Sequence, residues 1–213
     1  MKSFTGFLSE AQKKKQKIVA VYPGRFQTPH KGHKFVYDFL KRKFGSVKIA
    51  TSNKVELPKS PFNFDEKQKL LSFAGIPTSD IVYTKLPNIP DEITNGLPED
   101  TVLVIAAGEK VQSEENRFPF KLKKDGSLGY FLPYEKYKND LKGYKEHAYI
   151  IFVPTQTFRV LGKDAISASQ MRKQFVNLDN DTQKEFIKDL YGKYSDSIHK
   201  LLKQKLEPLK DQL

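Results

Sequence analysis

The stretch IVAVYPGRFQTPHKGHKFVYDFL, residues 18–40, decides the fold of this chain. It opens with five apolar residues, IVAVY, that do not alternate with polar ones, a pattern typical of a parallel strand buried on both faces. Pro23 and Gly24 end the strand. Thr28 followed by Pro29 is typical of a helix N-cap and its first helical position. The sequence therefore predicts a strand, a short loop and a helix that begins at the carboxyl end of the strand.

Hydrophobic spacing makes the predicted helix amphipathic. Its apolar residues recur every three or four positions and should face the sheet in one stripe: Phe35, Val36, Phe39 and Leu40. The N-terminus of such a helix presents unpaired backbone N–H groups and a positive dipole end to the space above the sheet edge. The sequence therefore predicts an α/β fold with a phosphate site at that edge.

Two histidines lie where this phosphate site is predicted. His30 and His33 are three residues apart, hence on one face of the first turn, and Gly32 between them leaves the backbone open to close approach by a ligand. Arg25 and Lys31 add positive charge. A bare pair of histidines near a helix start is more often a surface or packing feature. Its position behind a buried strand and a glycine turn favours phosphate binding instead.

The run GRFQTPHKGH, residues 24–33, resembles the HxGH signature of the nucleotidyltransferase superfamily. Within that superfamily it is most similar to the archaeal type of nicotinamide mononucleotide adenylyltransferase, where the run commonly reads GRFQPxHxGH. Thr28 departs from the usual proline. The later stretch KSPFNFDEKQKLL resembles the NPFTxxER segment of the same enzymes through Pro61, Phe62 and Glu66.

A second helix N-terminus is predicted at ISASQMRK, residues 166–173. Ser167 and Ser169 can cap the helix or donate to phosphate oxygens, and Arg172 offers a bidentate fork on the same face as Ser169. Alone, such a segment is more often a capping serine beside a surface arginine. Beside the first signature, it resembles the ISxTxxR signature of the same superfamily, in which the hydroxyls and the arginine bind the β- and γ-phosphates.

The resemblance implies an enzyme that joins a nucleoside triphosphate to a phosphate-bearing acceptor and releases pyrophosphate. Residues of both signatures would act on the triphosphate: His30, His33 and Arg172 as catalytic groups, and Gly24, Arg25, Phe26, Gly32, Ser167 and Ser169 as nucleotide- and phosphate-binding groups. Magnesium (Mg²⁺) is expected to bridge the phosphates. Because Mg²⁺ keeps mostly waters and phosphate oxygens as ligands, no dedicated carboxylate cluster is required.

Three functions remain open at this point. The first is nicotinamide mononucleotide adenylyltransferase, which makes NAD from ATP and nicotinamide mononucleotide (NMN). The second is a cytidylyltransferase that uses CTP and a phospho-alcohol, since HxGH does not report the base. The third is a nucleic-acid-binding module, motivated by the formal net charge of +12 and by the aromatic and basic residues of the segment 108–147. A nicotinamide ring is often stacked on tryptophan in related enzymes, and this chain has none, so Phe or Tyr must replace it.

Further apolar runs extend the predicted sheet. They predict strands at residues 47–51, 81–84, 101–106 and 148–153, and a helix at residues 65–74. With the first strand, they complete the five-stranded, Rossmann-like, doubly wound parallel sheet that the resemblance implies. From Ser169 onward, helical spacing predicts two or three packing helices, broken near Leu178 and at Gly192, with His199 on a helix face.

The expected organisation is a flexible arm at residues 1–17, a nucleotidyltransferase domain at 18–176 with an excursion at 108–147, and a helical extension at 177–213. Cysteine is absent, which excludes disulfides and thiolate metal sites. No window approaches about 18 apolar residues, and no apolar core of signal-peptide type opens the chain. We expect a soluble, cytoplasmic protein without a membrane partner, in which a homo-oligomer remains open.

The first eleven residues, MKSFTGFLSEA, resemble the N-terminal packaging peptides of large tailed bacteriophages, which are cut after a Leu-x-Glu site. Leu8, Ser9 and Glu10 would supply that site. Three-residue patterns are common, so an ordinary flexible terminus is the alternative. The hypothesis implies a bacteriophage-encoded enzyme, packaged in the virion and acting in the host cytoplasm.

Overall fold

Six parallel strands form the central sheet of the computed structural model, which describes residues 16–87, 91–108, 120–154, 156–164 and 167–213. The strand order is β3-β2-β1-β4-β6-β5. The strands are β1 (Ile18–Pro23), β2 (Val47–Thr51), β3 (Ile81–Tyr83), β4 (Val102–Gly108), β5 (Phe131–Pro133) and β6 (Ala148–Val153). A separate antiparallel pair consists of β7 (Arg159–Val160) and β8 (Lys163–Asp164).

Helices alternate with the first strands and then follow one another in the last part of the chain. They are α1 (Lys31–Phe44), α2 (Phe64–Phe73), α3 (Asp91–Thr94), α4 (Tyr134–Tyr137), α5 (Ala168–Val176), α6 (Asn180–Tyr191) and α7 (Asp196–Leu206). Short 3-10 turns cover Thr78–Asp80 and Glu207–Gln212. Among the described residues, every helix falls short of the length and apolarity that crossing a bilayer would require.

The prediction of a strand buried on both faces is confirmed at β1. Val19 and Val21 pack into the core on one face of the sheet, and Ala20 packs into the core on the other. β1 pairs with β2 on one side and with β4 on the other, so its backbone is hydrogen-bonded along both edges. A strand enclosed in this way fixes the position of the loop that follows it.

The prediction of five strands is wrong, because β5 adds a sixth at the edge of the sheet beside β6. β5 is only three residues long and ends in Pro133, which cannot donate a ladder hydrogen bond. It is therefore too short to be predicted from an apolar run. Leu132 of β5 and Tyr134 of α4 join the main core, so this part of the excursion packs on the sheet. Residues 109–119 and the predicted N-terminal cleavage site lie outside the described residues.

The apolar stripe of α1 differs from the predicted one at two positions. Phe35 is exposed, and Tyr37 is buried in its place. Tyr37 can be buried because its hydroxyl donates a 2.6 Å hydrogen bond to Asp80, which also accepts from Lys41 and Lys48. The polar partner comes from the turn before β3, which the local spacing in α1 does not reveal.

The prediction of two or three packing helices is confirmed, since α5, α6 and α7 follow one another with breaks near Leu178 and at Gly192. Their core includes Phe62 from the loop before α2 and Leu70 from α2 itself. His199 of α7 is buried, and its Nε2 lies 2.8 Å from the Gln183 side chain of α6, so it is a packing residue as predicted. This shared core places the N-terminus of α5 next to the loop that follows β1.

Candidate active site

The site lies where the strand order reverses, at the carboxyl ends of β1 and β4. Strands β2 and β3 extend the sheet to one side of β1, whereas β4, β6 and β5 extend it to the other. In open parallel sheets, this reversal leaves a crevice into which the loops after the strands project. The loop after β1 is residues 24–30, the first half of the HxGH-like run.

The helix after this loop begins at a different residue from the predicted one. His30 is the N-cap of α1, and neither Thr28 nor Pro29 lies in the helix. The His30 Nδ1 accepts a 3.1 Å hydrogen bond from the Gly32 N–H, and the His30 N–H donates a 3.2 Å hydrogen bond to His33 Nδ1. The two imidazoles thus cap the helix reciprocally, as a hydroxyl and a carboxylate do in a capping box.

This cap fixes the protonation of both imidazoles. A backbone N–H can only donate, so each Nδ1 is an acceptor, and the single proton of each neutral ring is on Nε2. Burial, with the nearby Lys31 charge, lowers the pKa of His30 to about 4. Burial, with the neighbouring His30, lowers the pKa of His33 well below its usual range. At neutral pH the pair therefore offers two uncharged Nε2–H donors.

We expect this protonation to appear as a loss of stability between pH 6.5 and about 4. In that window the unfolded chain binds a proton at His30 and the folded protein does not, so the free energy of unfolding falls as pH falls. The contribution is on the order of 1 kcal/mol per pH unit. Urea unfolding across this range should show a smaller loss in His30→Asn, because Asn caps helices and does not titrate. Equal losses in both proteins would contradict the expectation.

Arg172 of α5 is a buried cation, 5% exposed. Its Nη1 donates to the backbone oxygen of Gln27, while its Nε has no hydrogen-bond partner among the described residues. Burial first, and then the Arg25 charge, lowers the pKa of Arg172. No carboxylate of the described residues pairs with it. Because a buried charge without a counterion is costly, this arrangement indicates an anionic ligand.

One cleft of about 450 Å³ brings the two signatures together. It is lined by Arg25, Phe26, Gln27, His30, His33, Lys59, Ser167, Ala168, Ser169 and Arg172. The Ser167 Oγ accepts a 3.2 Å hydrogen bond from the Gln170 N–H and so caps α5, while Ser169 is exposed in its first turn. Cations, hydroxyls and two helix N-termini converge here, a combination suited to a polyphosphate.

The two signature glycines lie against aromatic rings, and the role predicted for Gly32, opening the backbone to a ligand, stays a prediction. A Cβ on Gly24 would lie 2.8 Å from the Phe26 ring. A Cβ on Gly32 would lie 2.9 Å from the His30 ring and 3.2 Å from the Phe158 ring. Both positions lack a side chain because aromatic rings occupy the space. Gly32 also lines a second cavity of about 180 Å³, which His30 and His33 share with Tyr22, Val36, Gly108, Val153, Pro154 and Gln156.

Gln27 is a site residue that sequence reasoning missed. Its Nε2 donates a 2.8 Å hydrogen bond to the Phe62 oxygen, and its Oε1 accepts a 2.9 Å hydrogen bond from the Phe62 N–H. Its own backbone oxygen accepts from Arg172. Gln27 thus joins the loop after β1, the loop before α2 and the helix α5. The signal in the sequence was that Gln27 lies in the run GRFQTPHKGH and its partner Phe62 in the second stretch that resembles the same enzymes.

Lys67 of α2 is a second buried cation, 1% exposed, that sequence reasoning missed. Its Nζ donates to the Ser52 oxygen at 2.5 Å and to Thr51 Oγ1 at 3.4 Å, at the carboxyl end of β2. Burial lowers the pKa of Lys67 to about 8. Nothing in the local sequence distinguishes it from the exposed Lys69, since its contacts are with Thr51 and Ser52 in another segment.

By sequence alone, the chain matches no protein-family model and no curated protein. Its fold is similar to that of a bifunctional NMN adenylyltransferase/ADP ribose pyrophosphatase from Francisella tularensis, with a TM-score of 0.51 and 18% identity over 92% of this chain and 54% of that one. A second structure of that protein, complexed with AMP and a manganese ion, gives a TM-score of 0.50, 17% identity and the same coverage. This chain therefore spans about half the length of the bifunctional protein.

A third similar structure is a nicotinic acid mononucleotide adenylyltransferase from Plasmodium falciparum, complexed with NaAD. The TM-score is 0.50 and the identity 13%, over 91% of this chain and 98% of that one. At these identities the comparisons establish the fold. The predicted α/β, Rossmann-like fold class is confirmed, with six strands in place of five.

Proposed function

We propose that this chain is a nucleotidyltransferase that joins ATP to NMN, with formation of NAD and release of pyrophosphate. The observation that carries the proposal is the buried Arg172, which pairs with no carboxylate of the described residues and shares one cleft with the two neutral histidines. The named activities of the Francisella and Plasmodium proteins, which share the fold, support the choice of substrates.

The geometry suits a reaction without a protein nucleophile. The Nε2–H groups of His30 and His33 donate to oxygens of the triphosphate, with His33 nearer the α-phosphate. Ser167, Ser169 and Arg172 hold the β- and γ-phosphates. An anionic oxygen of the acceptor phosphate attacks the α-phosphorus in line as the bond to the β-phosphate oxygen breaks, so no proton has to be removed. Catalysis comes from positioning and from donors that are already oriented.

The cleft fits a divalent ion bound through the substrate. Cations and hydroxyls line it, and the described residues contain no group of three His, Asp or Glu side chains able to hold a metal. Mg²⁺ commonly keeps waters and phosphate oxygens as its ligands, and bound to the triphosphate it would neutralise phosphate charge. The manganese ion in the Francisella structure with AMP is consistent with this assignment.

The acceptor is proposed to lie beyond the end of β2. Lys67 would attract its phosphate, because this buried ammonium has no carboxylate partner within the described part of the chain and so favours an anion. Phe64 and Tyr83 lie nearby in an edge-to-face contact, with ring centroids 5.7 Å apart, and Tyr83 is largely exposed at the carboxyl end of β3. This pair would supply the aromatic surface for the nicotinamide ring in a chain that has no tryptophan.

The direct test is the reaction itself. With Mg²⁺ and ATP, we expect the purified protein to convert NMN, and to a measurable extent nicotinic acid mononucleotide, into the dinucleotide and pyrophosphate. Parallel reactions contain CTP with phosphocholine or glycerol phosphate, and Arg172→Met is the inactive control. Product from the CTP reactions alone would replace the proposal with a cytidylyltransferase. Absence of pyrophosphate from every pair, with single-stranded oligonucleotide retained, would favour the nucleic-acid-binding module.

A further inference from the structure

Five aromatic rings form a continuous column through the candidate site. Neighbouring ring centroids are separated by 5.4 Å from Tyr22 to Phe26, 5.0 Å from Phe26 to His33, 3.9 Å from His33 to His30 and 4.9 Å from His30 to Phe158. The pair of imidazoles therefore lies between the ring of Phe26 and the ring of Phe158. The column extends beyond the HxGH-like run, since Phe158 comes from the segment between β6 and β7.

The backbone around the histidines is adapted to this column. Phe26 has a φ of +47°, a conformation that side chains other than glycine rarely adopt, and Gly24 leaves room for its ring. Gly32 leaves room for the contact between His30 and Phe158. The strained φ of Phe26 and the two glycines are therefore explained by the packing of these rings, which the surrounding structure must stabilise.

We propose that Phe158 is a positioning residue for the reaction: its ring covers His30 and holds the imidazole in the capped orientation that directs Nε2–H to the phosphates. This inference rests on the proposed function for its catalytic consequence. The segment is itself anchored, because Val160 is buried in the core of the C-terminal helices and the Leu161 N–H donates a 2.8 Å hydrogen bond to Asp189 of α6. The ring is therefore held from outside the helix that it covers.

Phe158 acts by excluding water from His30 and by holding Lys31, whose ammonium lies 5.2 Å from the centre of the Phe158 ring. Protonation of His30 at Nδ1 would break the hydrogen bond from Gly32 and release the imidazole. No carboxylate of the described residues shares the cleft to stabilise a charged His30. The titratable or charged groups around it are Lys31, His33, Arg25, Lys59 and Arg172.

The test follows the His30 imidazole by NMR in the full chain, which has only four histidines, with His30→Asn identifying its signal. In the wild type, His30 should remain unprotonated to about pH 4. In Phe158→Ala, its titration should move up by at least about one pH unit as water reaches the ring. Phe158→Leu should restore most of the wild-type behaviour, because it keeps an apolar cover.

Phe44→Ala is the matched control. Phe44 is partly buried like Phe158, and its ring likewise contacts one ring, that of Tyr134 at 5.2 Å, and one lysine, but no contact joins it to His30. It should leave the His30 titration unchanged. In the assay, Phe158→Ala should lower kcat by about 10-fold, with a smaller change in the KM for ATP, because binding groups remain and orientation is lost.

An unchanged His30 titration in Phe158→Ala, beside a folded spectrum, would overturn the inference. If that variant does not fold, Phe158→Gln replaces it, since Gln fills the space and admits water, and the same shift is required. Failure of the proposed function is a different result: the wild type would release no pyrophosphate, while the NMR comparison would still decide whether Phe158 positions His30.

Discussion

Arg172→Met should lower kcat/KM for ATP by at least ~10²-fold, the usual scale for removing one oriented donor at a developing charge. The same substitution should leave the melting temperature unchanged or raise it. Arg172 is buried, and among the described residues its Nε has no hydrogen-bond partner and no carboxylate neutralises its charge. The folded protein therefore contains a desolvated cation, which lowers its stability. Methionine fills a similar volume without the charge.

Opposite effects on activity and stability would distinguish a phosphate-binding arginine from a structural one. The measurements are initial rates of pyrophosphate release and thermal melting with and without ATP. ATP should stabilise the wild type and stabilise Arg172→Met much less. The control is Arg159→Met, since the Arg159 side chain on β7 is exposed and forms a surface ion pair with Asp164. A variant that melts far below the wild type and keeps its turnover would show that Arg172 is structural.

The second large effect is expected at His33, where the cap and the donor can be separated. His33→Glu should fold normally, because a glutamate at this position accepts the N-cap N–H in an ordinary capping box. It should lose at least ~10²-fold in turnover, because it offers no N–H to a phosphate oxygen and adds a negative charge. His33→Gln should keep the cap through its amide oxygen and retain a donor on its amide nitrogen. Its turnover should therefore lie between that of the wild type and that of His33→Glu.

Circular dichroism and thermal melting would monitor the cap, and pyrophosphate release would monitor the donor. Wild-type turnover in both His33→Glu and His33→Gln would show that the imidazole contributes only through the cap. A loss of helix content in both variants would show that a carboxylate or an amide cannot replace the ring there. The hydrogen bond from the His30 N–H to His33 Nδ1 is the feature that makes the comparison possible.

The strands that the sequence predicts best are those decided by burial alone. The predicted ranges 47–51 and 148–153 coincide with β2 and β6, because both are mostly apolar and both are paired with a neighbouring strand on each side. The start of α1 was misplaced, because the rules for helix caps favour Thr28, whereas the actual cap consists of two imidazoles. β5 was missed, because a three-residue edge strand ending in proline has no pattern of its own.

Most of the residues predicted for the site line one cleft, whereas their burial and contacts could not be predicted from the sequence. Spacing places Ser169 and Arg172 on one helix face, yet Ser169 is exposed and Arg172 is buried. That difference arises because Arg172 contacts the backbone of Gln27, 145 residues earlier, and no local pattern reports such a contact. Phe158 and Lys67 escaped prediction for the same reason, since their neighbours come from other segments.

The three hydrogen bonds of Gln27 connect the segments that would bind the two substrates, ATP and NMN. Its backbone oxygen accepts from Arg172, and both polar atoms of its terminal amide bond to the Phe62 backbone. In the proposed reaction, the nucleotide lies on the Arg172 side, and the acceptor lies on the side of the segment that contains Phe62. In that reaction, the separation of the two anions therefore depends on the length of one glutamine residue.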